Sequence, residues 1–137
     1  MRDRDARTGR LTVVLFARKI RTLPPTKAWE AHHRNELVLV DVRERPEWRS
    51  GVVTGALRIP LHELSRRIGE LPREKTVAFL CRSGHRSLLA ARQARRGGID
   101  VVSISGGMLA WSDAGLPTST PTAMEDSRPR HHHRSAR

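Results

Sequence analysis

Residues 80–87 read L-C-R-S-G-H-R-S. Cys81 is the only cysteine in 137 residues, and it stands between T-V-A-F-L (76–80) and S-L-L-A-A-R-Q-A-R-R (87–96). The first segment is a short continuous apolar run, which suits a strand buried on both faces. The second is rich in helix formers and ends at Gly97-Gly98, a helix stop. The cysteine is therefore expected at the carboxyl end of a strand, where a short polar loop turns into a helix.

The same alternation runs outward in both directions. Leu23-Pro24-Pro25 is expected to break any helix. T-K-A-W-E-A-H-H-R-N (26–35) reads as a short helix with Thr26 as its N-cap. The aliphatic run Leu37–Val40, closed by Asp41-Val42-Arg43, reads as a buried strand. R-E-R-P-E-W-R-S-G is expected to be a loop with one helical turn, and G-A-L-R-I-P (55–60) a second short strand. Leu61, Leu64, Ile68 and Leu71 recur at spacings of three and four, which predicts an amphipathic helix over 61–71, ended by Pro72. V-V-S-I (101–104) is the last strand, S-G-G (105–107) a turn, and M-L-A-W-S-D-A (108–114) a closing helix before Gly115 and Pro117. Short aliphatic strands alternating with helices predict an open α/β domain with a mainly parallel sheet flanked by helices. Such sheets bind ligands beyond the carboxyl ends of their strands. The domain is expected over residues 22–118. Residues 1–21 are a basic extension, disordered or partly strand through L-T-V-V-L-F-A (11–17), and 119–137 a disordered basic tail.

Composition narrows the class of function. The formal charge is +12, but residues 1–22 carry seven Lys/Arg against two acids and residues 121–137 four against two, so the ends hold more than half the excess. Solvated basic ends account for this more simply than a nucleic-acid site does. The three Trp and two Phe do not interleave with the basic residues, which argues against a stacking platform for single strands. One cysteine excludes an internal disulfide and makes a reducing, cytoplasmic compartment the default expectation. No apolar run approaches the ~20 residues that span a bilayer, and 11–17 lacks the cleavage site of a signal peptide.

In the loop C-R-S-G-H-R the chain is short, so its backbone N–H groups must converge. Gly84 permits the left-handed backbone of a tight cradle, and Ser87 is placed to cap the following helix. Converging amides at a helix N-terminus form an anion site with Cys81 at its floor. The same field lowers the thiol pKa, and the thiolate is the nucleophile. Arg82 and Arg86 add charge and forked donors for an oxyanion. A lone cysteine is more often a small core residue, but core packing does not call for flanks of Arg, Ser, Gly, His and Arg. Two chemistries use a cysteine in an anion cradle. Phosphate-ester hydrolysis by Cys-x5-Arg enzymes needs an arginine six residues on, where this chain has Ser87; its arginine, Arg86, comes at five. In sulfur transfer the thiolate takes a sulfane sulfur as a persulfide and passes it to a thiol or cyanide, with no metal or organic cofactor required.

The ordered set Asp41-Val42-Arg43-Glu44, Glu47-Trp48, Gly51, Gly55-Ala56, Ile59-Pro60, Cys81–Ser87, Gly106-Gly107-Met108, Trp111, Gly115 and Pro117 resembles the single-domain rhodaneses, the thiosulfate sulfurtransferase-like family. The match covers about residues 22–118. The resemblance implies Cys81 as the persulfide-forming nucleophile and Arg82, Ser83, Gly84, His85 and Arg86 as the substrate-binding loop, of sulfurtransferase rather than phosphatase length. It implies a structural role for Asp41 and Arg43, which organise the loops by hydrogen bonds and ion pairing. Trp48 and Trp111 are expected in the core. The family often has G-H-I-P-G-A where this chain has G-V-V-T-G-A (51–56), a change near the first motif and not at the nucleophile.

The remaining histidines give little. His85 is read as a solvent-facing filler sooner than a thiolate-tuning group, and His62 as helix surface. His32 and His33 are helix neighbours that point apart, and His131–His133 fall in the tail. The expected function is transfer of a sulfane sulfur from thiosulfate or a persulfide donor to a thiophilic acceptor. The alternative is a sulfur carrier or docking module without turnover. Expected partners are a small anionic sulfur donor and a thiol or cyanide acceptor, with a protein sulfur acceptor a further candidate, and neither nucleic acid nor membrane.

Overall fold

The computed structural model describes residues 19–121. Strands β1 (Thr22–Leu23), β2 (Leu37–Asp41), β4 (Leu57–Arg58), β5 (Thr76–Leu80) and β6 (Val101–Ile104) form a five-stranded sheet in the order β1-β6-β5-β2-β4. Every pairing in it is parallel, with β5 central between β2 and β6. A separate antiparallel pair joins β3 (Val52–Val53) to β7 (Thr118–Ser119). The helices are α1 (Pro25–His33), α2 (Arg45–Trp48), α3 (Leu61–Arg67), α4 (His85–Arg96) and α5 (Gly107–Asp113), with a 3₁₀ turn at Ile68–Glu70 continuing α3.

The central strands are aliphatic throughout because both faces of the sheet are covered. One layer gathers Val40, Val77, Phe79, Cys81 and Val101 with Leu64 of α3 and Ala90, Ala91 and Ala94 of α4. The other gathers Leu37, Leu39, Ala78, Leu80, Val102 and Ile104 with Ala28 of α1 and Trp111 of α5. Alternate residues of β5 and β6 thus serve opposite layers, as the two-residue period of a strand requires. The alanines on α4 let that helix lie close on the sheet. Trp48 and Trp111 are both fully buried, as expected.

The predicted parallel α/β architecture is the one observed, with local differences. Pro25 is the first residue of α1, where its missing N–H costs nothing, and Pro24 is the N-cap in place of Thr26. The strand expected over 55–60 shrinks to Leu57–Arg58, the stretch that pairs with Val40 and Asp41. α4 begins at His85, two residues early, and its N-cap is Gly84 with φ +113°, not Ser87. Ser87 sits inside the first turn, and its hydroxyl donates instead to the Gly84 carbonyl at 3.1 Å. The strands β1, β3 and β7 are two residues each, below what periodicity can reveal. The strand considered at 11–17, residues 1–18 as a whole and His131–His133 lie outside the described residues.

At the carboxyl end of β2 a buried ion pair ties the loops together. The Arg43 guanidinium donates to the Asp41 carboxylate through Nε at 3.1 Å and Nη2 at 2.9 Å. It reaches on to the Gly51 carbonyl at 2.8 Å and the Glu47 carbonyl at 3.4 Å. Removing one member of such a pair strands the other charge in the interior. Arg43→Ala is predicted to lower unfolding stability by about 3–5 kcal/mol, read as the urea midpoint; an unchanged midpoint would show that the pair is dispensable.

Candidate active site

Cys81 follows β5 directly, and the loop 82–84 carries the chain into α4. The residue is 1% exposed and belongs to the core layer beneath α4. Its sulfur is nevertheless met by polar groups. The Gly84 amide donates to Sγ at 3.0 Å and the Ser87 amide at 3.3 Å, while the Ser87 hydroxyl oxygen stands 3.6 Å away as acceptor for the thiol proton. The left-handed turn at Gly84 is what swings these amides inward, a conformation a side chain would strain. The sulfur thus lies at the N-terminus of a twelve-residue helix, where unpaired amides favour negative charge.

Burial, the largest influence on the Cys81 thiol, pushes its pKa up. Hydrogen bonding with the Ser87 side chain and the hydrogen bonds from the Ser87, Gly84 and Ser83 amides together outweigh it, and the net displacement is downward. The loop's hydrogen bonds therefore shift the thiol toward its anionic form although the residue is buried.

The back of the loop is fixed by α5. The Met108 amide donates to the Cys81 carbonyl at 2.7 Å and the Leu109 amide to the Arg82 carbonyl at 3.1 Å. Both carbonyls are held away from the sulfur, so the amides that follow them in the loop can turn toward it. A Cβ at Gly107 would fall 2.6 Å from the Arg82 carbonyl carbon and oxygen and against the Cys81 carbonyl oxygen, so this close docking requires glycine.

The sequence-predicted site residues separate into distinct positions. Ser83 is exposed, Gly84 provides the turn, and His85 is exposed, as a filler would be. Arg82 is exposed and lines a cleft of about 260 Å³ beside the loop, whose other walls include Arg43, Glu47, Met108, Leu109 and Ser112. Leu109, 47% exposed, gives that cleft an apolar wall. Arg86 departs from expectation. Its two terminal nitrogens donate to the Glu47 carboxylate at 2.7 and 3.0 Å, so its fork is occupied by α2 and is not aimed at an oxyanion in the loop. The Glu47 carboxylate also offsets much of the Arg86 charge, so the donors that lower the thiol are the hydrogen bonds of Ser87, Gly84 and Ser83. Asp41 and Arg43 sit at the neighbouring strand end, away from the sulfur's hydrogen bonds.

Two participants escape sequence reasoning. Glu47 stands 39 positions from Arg86, and nothing local announces their pairing. Ser103, read only as part of a strand, places its hydroxyl 2.7 Å from that of Ser87.

The chain belongs to the rhodanese-like family: the family's "Rhodanese-like domain" profile matches residues 24–114. Among curated relatives, it is 36% identical over 87 residues to a protein named "Sulfurtransferase" from Allochromatium vinosum, covering 63% of this chain and 81% of that one. It is 35% identical over 77 residues to "Putative sulfur carrier protein YrkF" of Bacillus subtilis, covering 56% of this chain and 42% of that one. In two other curated relatives the matched stretch is only 55% and 37% of their length. A crystal structure of a rhodanese-related protein from Thermoplasma volcanium superposes with a TM-score of 0.67 at 28% identity, covering 72% of this chain and 97% of that one. Relatives of the family carry both sulfurtransferase and sulfur-carrier names. No helix among the described residues is long and apolar enough to cross a membrane.

The Arg86–Glu47 pair has a defined pH signature. The hydrogen bond from Arg86 is the chief cause that lowers the Glu47 carboxyl from its ordinary 4.5 to about 2. A carboxyl depressed in the fold stabilises it above the unfolded value, and that contribution is lost as pH falls through the folded one. Between pH 4.5 and about 2 the wild type is therefore predicted to lose stability more steeply than Glu47→Gln. The partly exposed pair makes this effect small; parallel acid-unfolding curves for the two proteins would contradict it.

Proposed function

We propose that this protein is a sulfurtransferase that moves a sulfane sulfur from thiosulfate or a persulfide donor to a thiophilic acceptor through a persulfide on Cys81. The observation that carries the reading is the pair of amides, Gly84 and Ser87, donating to the Cys81 sulfur at 3.0 and 3.3 Å. In the first step the thiolate attacks the outer sulfur of thiosulfate. A new S–S bond forms, the old one breaks, and sulfite leaves with the bonding pair. The terminal sulfur of the persulfide carries the negative charge into the loop, where backbone amides are the donors for it. In the second step cyanide or a thiolate attacks that terminal sulfur, and the thiolate returns to its amides. This is covalent catalysis in two easier displacements.

The exposed Arg82 draws anionic donors to the loop, and the cleft bounded by Arg82, Met108 and Leu109 offers an approach for the acceptor. Burial of Cys81 shields the persulfide from adventitious thiols. The chemistry fits a reducing, cytoplasmic setting, in which a solitary thiol stays available. The position of Arg86, five residues after the cysteine and engaged by Glu47, disfavours phosphate-ester hydrolysis.

A second reading is that of a sulfur carrier without turnover, favoured by the likeness to a putative sulfur carrier protein and by the 1% exposure of Cys81. Cys81→Ser is predicted to abolish thiocyanate formation from thiosulfate and cyanide. Activity at the wild-type level would remove Cys81 from the mechanism. Intact-mass measurement after exposure to thiosulfate distinguishes the two roles: a gain of one sulfur with turnover supports the transferase, a gain without turnover the carrier, and no gain at all contradicts both.

A further inference from the structure

Ser103 lies on β6, 1% exposed, with its side chain turned to the layer that holds Cys81 and α4. A hydroxyl placed among hydrocarbon is costly unless it is hydrogen-bonded. Its partner among the described residues is the Ser87 hydroxyl, 2.7 Å away, and either oxygen could be the donor by distance alone. Proton counting decides the direction. Each hydroxyl has one proton to give and two lone pairs to receive with. Ser87 has two further neighbours, the Gly84 carbonyl at 3.1 Å and the Cys81 sulfur at 3.6 Å. The Ser103 proton has no other acceptor among these contacts, so if Ser87 donated to Ser103, the Ser103 proton would be left buried and unpaired.

We propose that Ser103 is a positioning residue for the sulfur site: its hydroxyl donates to Ser87 Oγ and so confines the Ser87 proton to a choice between the Gly84 carbonyl and the Cys81 sulfur. The two choices match the two ionisation states. With the thiol protonated, S–H and the Ser103 hydroxyl fill both lone pairs of Ser87 Oγ, and Ser87 donates to Gly84. When the thiol proton passes to solvent, one lone pair is released and the Ser87 hydroxyl turns to donate to the thiolate. A donor already received from Ser103 polarises Ser87 and strengthens that bond. Ser103 touches no substrate; it acts through Ser87. The other charged or titratable groups around the sulfur are Arg86 with its partner Glu47, the exposed Arg82 and His85, and the Asp41–Arg43 pair at the end of β2. None of them is hydrogen-bonded to the Ser103 hydroxyl, whose partner is Ser87.

The inference deepens the reading given above by assigning a residue to the same sulfur, and its test reads the thiol alone, independently of sulfur transfer. The full chain would carry Ser103→Thr and Ser103→Val, which match in shape and differ by the hydroxyl. The pH dependence of Cys81 alkylation by iodoacetamide is measured for each. The valine variant is expected to titrate at higher pH than the threonine variant and to react about two- to tenfold more slowly near neutrality, the scale of one hydrogen bond. In a Ser87→Ala background the two are expected to coincide. Identical titrations in the Ser87 protein, or a difference that survives Ser87→Ala, would overturn the proposal. Should the branched side chains prevent folding, Ser103→Ala against wild type, in both backgrounds, is read by the same criteria.

Discussion

The site depends on one reversal of polarity. At the carboxyl end of β5 the chain leaves a buried hydrophobic strand and, after the four residues 81–84, enters a helix whose first amides lack carbonyl partners within the helix. Such amides must find an acceptor, and here the acceptor is a sulfur atom that the strand has carried into the core. Burial alone would hold the thiol neutral. The amides oppose that preference and, together with the Ser87 hydroxyl, move the thiol pKa downward on balance, since in buried surroundings each hydrogen bond to a charge counts for more than in water. Cys81 is therefore a core residue whose sulfur also accepts backbone N–H bonds, two descriptions usually treated as alternatives.

The rest of the molecule holds that junction in place. α5 takes up the Cys81 and Arg82 carbonyls with its own first amides, which is possible only because Gly107 lets the two backbones touch. The Asp41–Arg43 pair gathers the segment from Glu47 to Gly51. From that segment Glu47 reaches over to Arg86 on the first turn of α4. The strand ends, the short helix α2 and the active loop are thereby one connected polar assembly laid over an aliphatic sheet. Arg86 serves it as an anchor for α4.

The sequence made the frame legible and left part of the site hidden. T-V-A-F-L, L-V-L-V and V-V-S-I announce buried strands because both faces need apolar residues, and Gly97-Gly98 and Pro72 mark helix ends through backbone constraints that act locally. Cys81 with Gly84 declared an anion cradle for the same reason: the geometry of a short loop is a local property. What could not be read was contact across the chain. Glu47 with Arg86, and Ser103 with Ser87, meet only because the parallel topology brings separate elements to one end of the sheet. Ser87 shows the limit from the other side. A serine ahead of a helix-forming run suggests an N-cap, but the glycine three residues earlier can begin the helix sooner, which carries the serine inside the first turn and beside the sulfur.

The most direct measurement of the central claim is a pH titration of backbone amide resonances by ¹⁵N-labelled NMR. If the Gly84 and Ser87 amides hold an anionic sulfur, both must shift with a single midpoint below that of an ordinary thiol, and neither must show that transition in Cys81→Ser. Amide shifts that stay flat as the thiol ionises, or a midpoint above the ordinary value, would contradict the account.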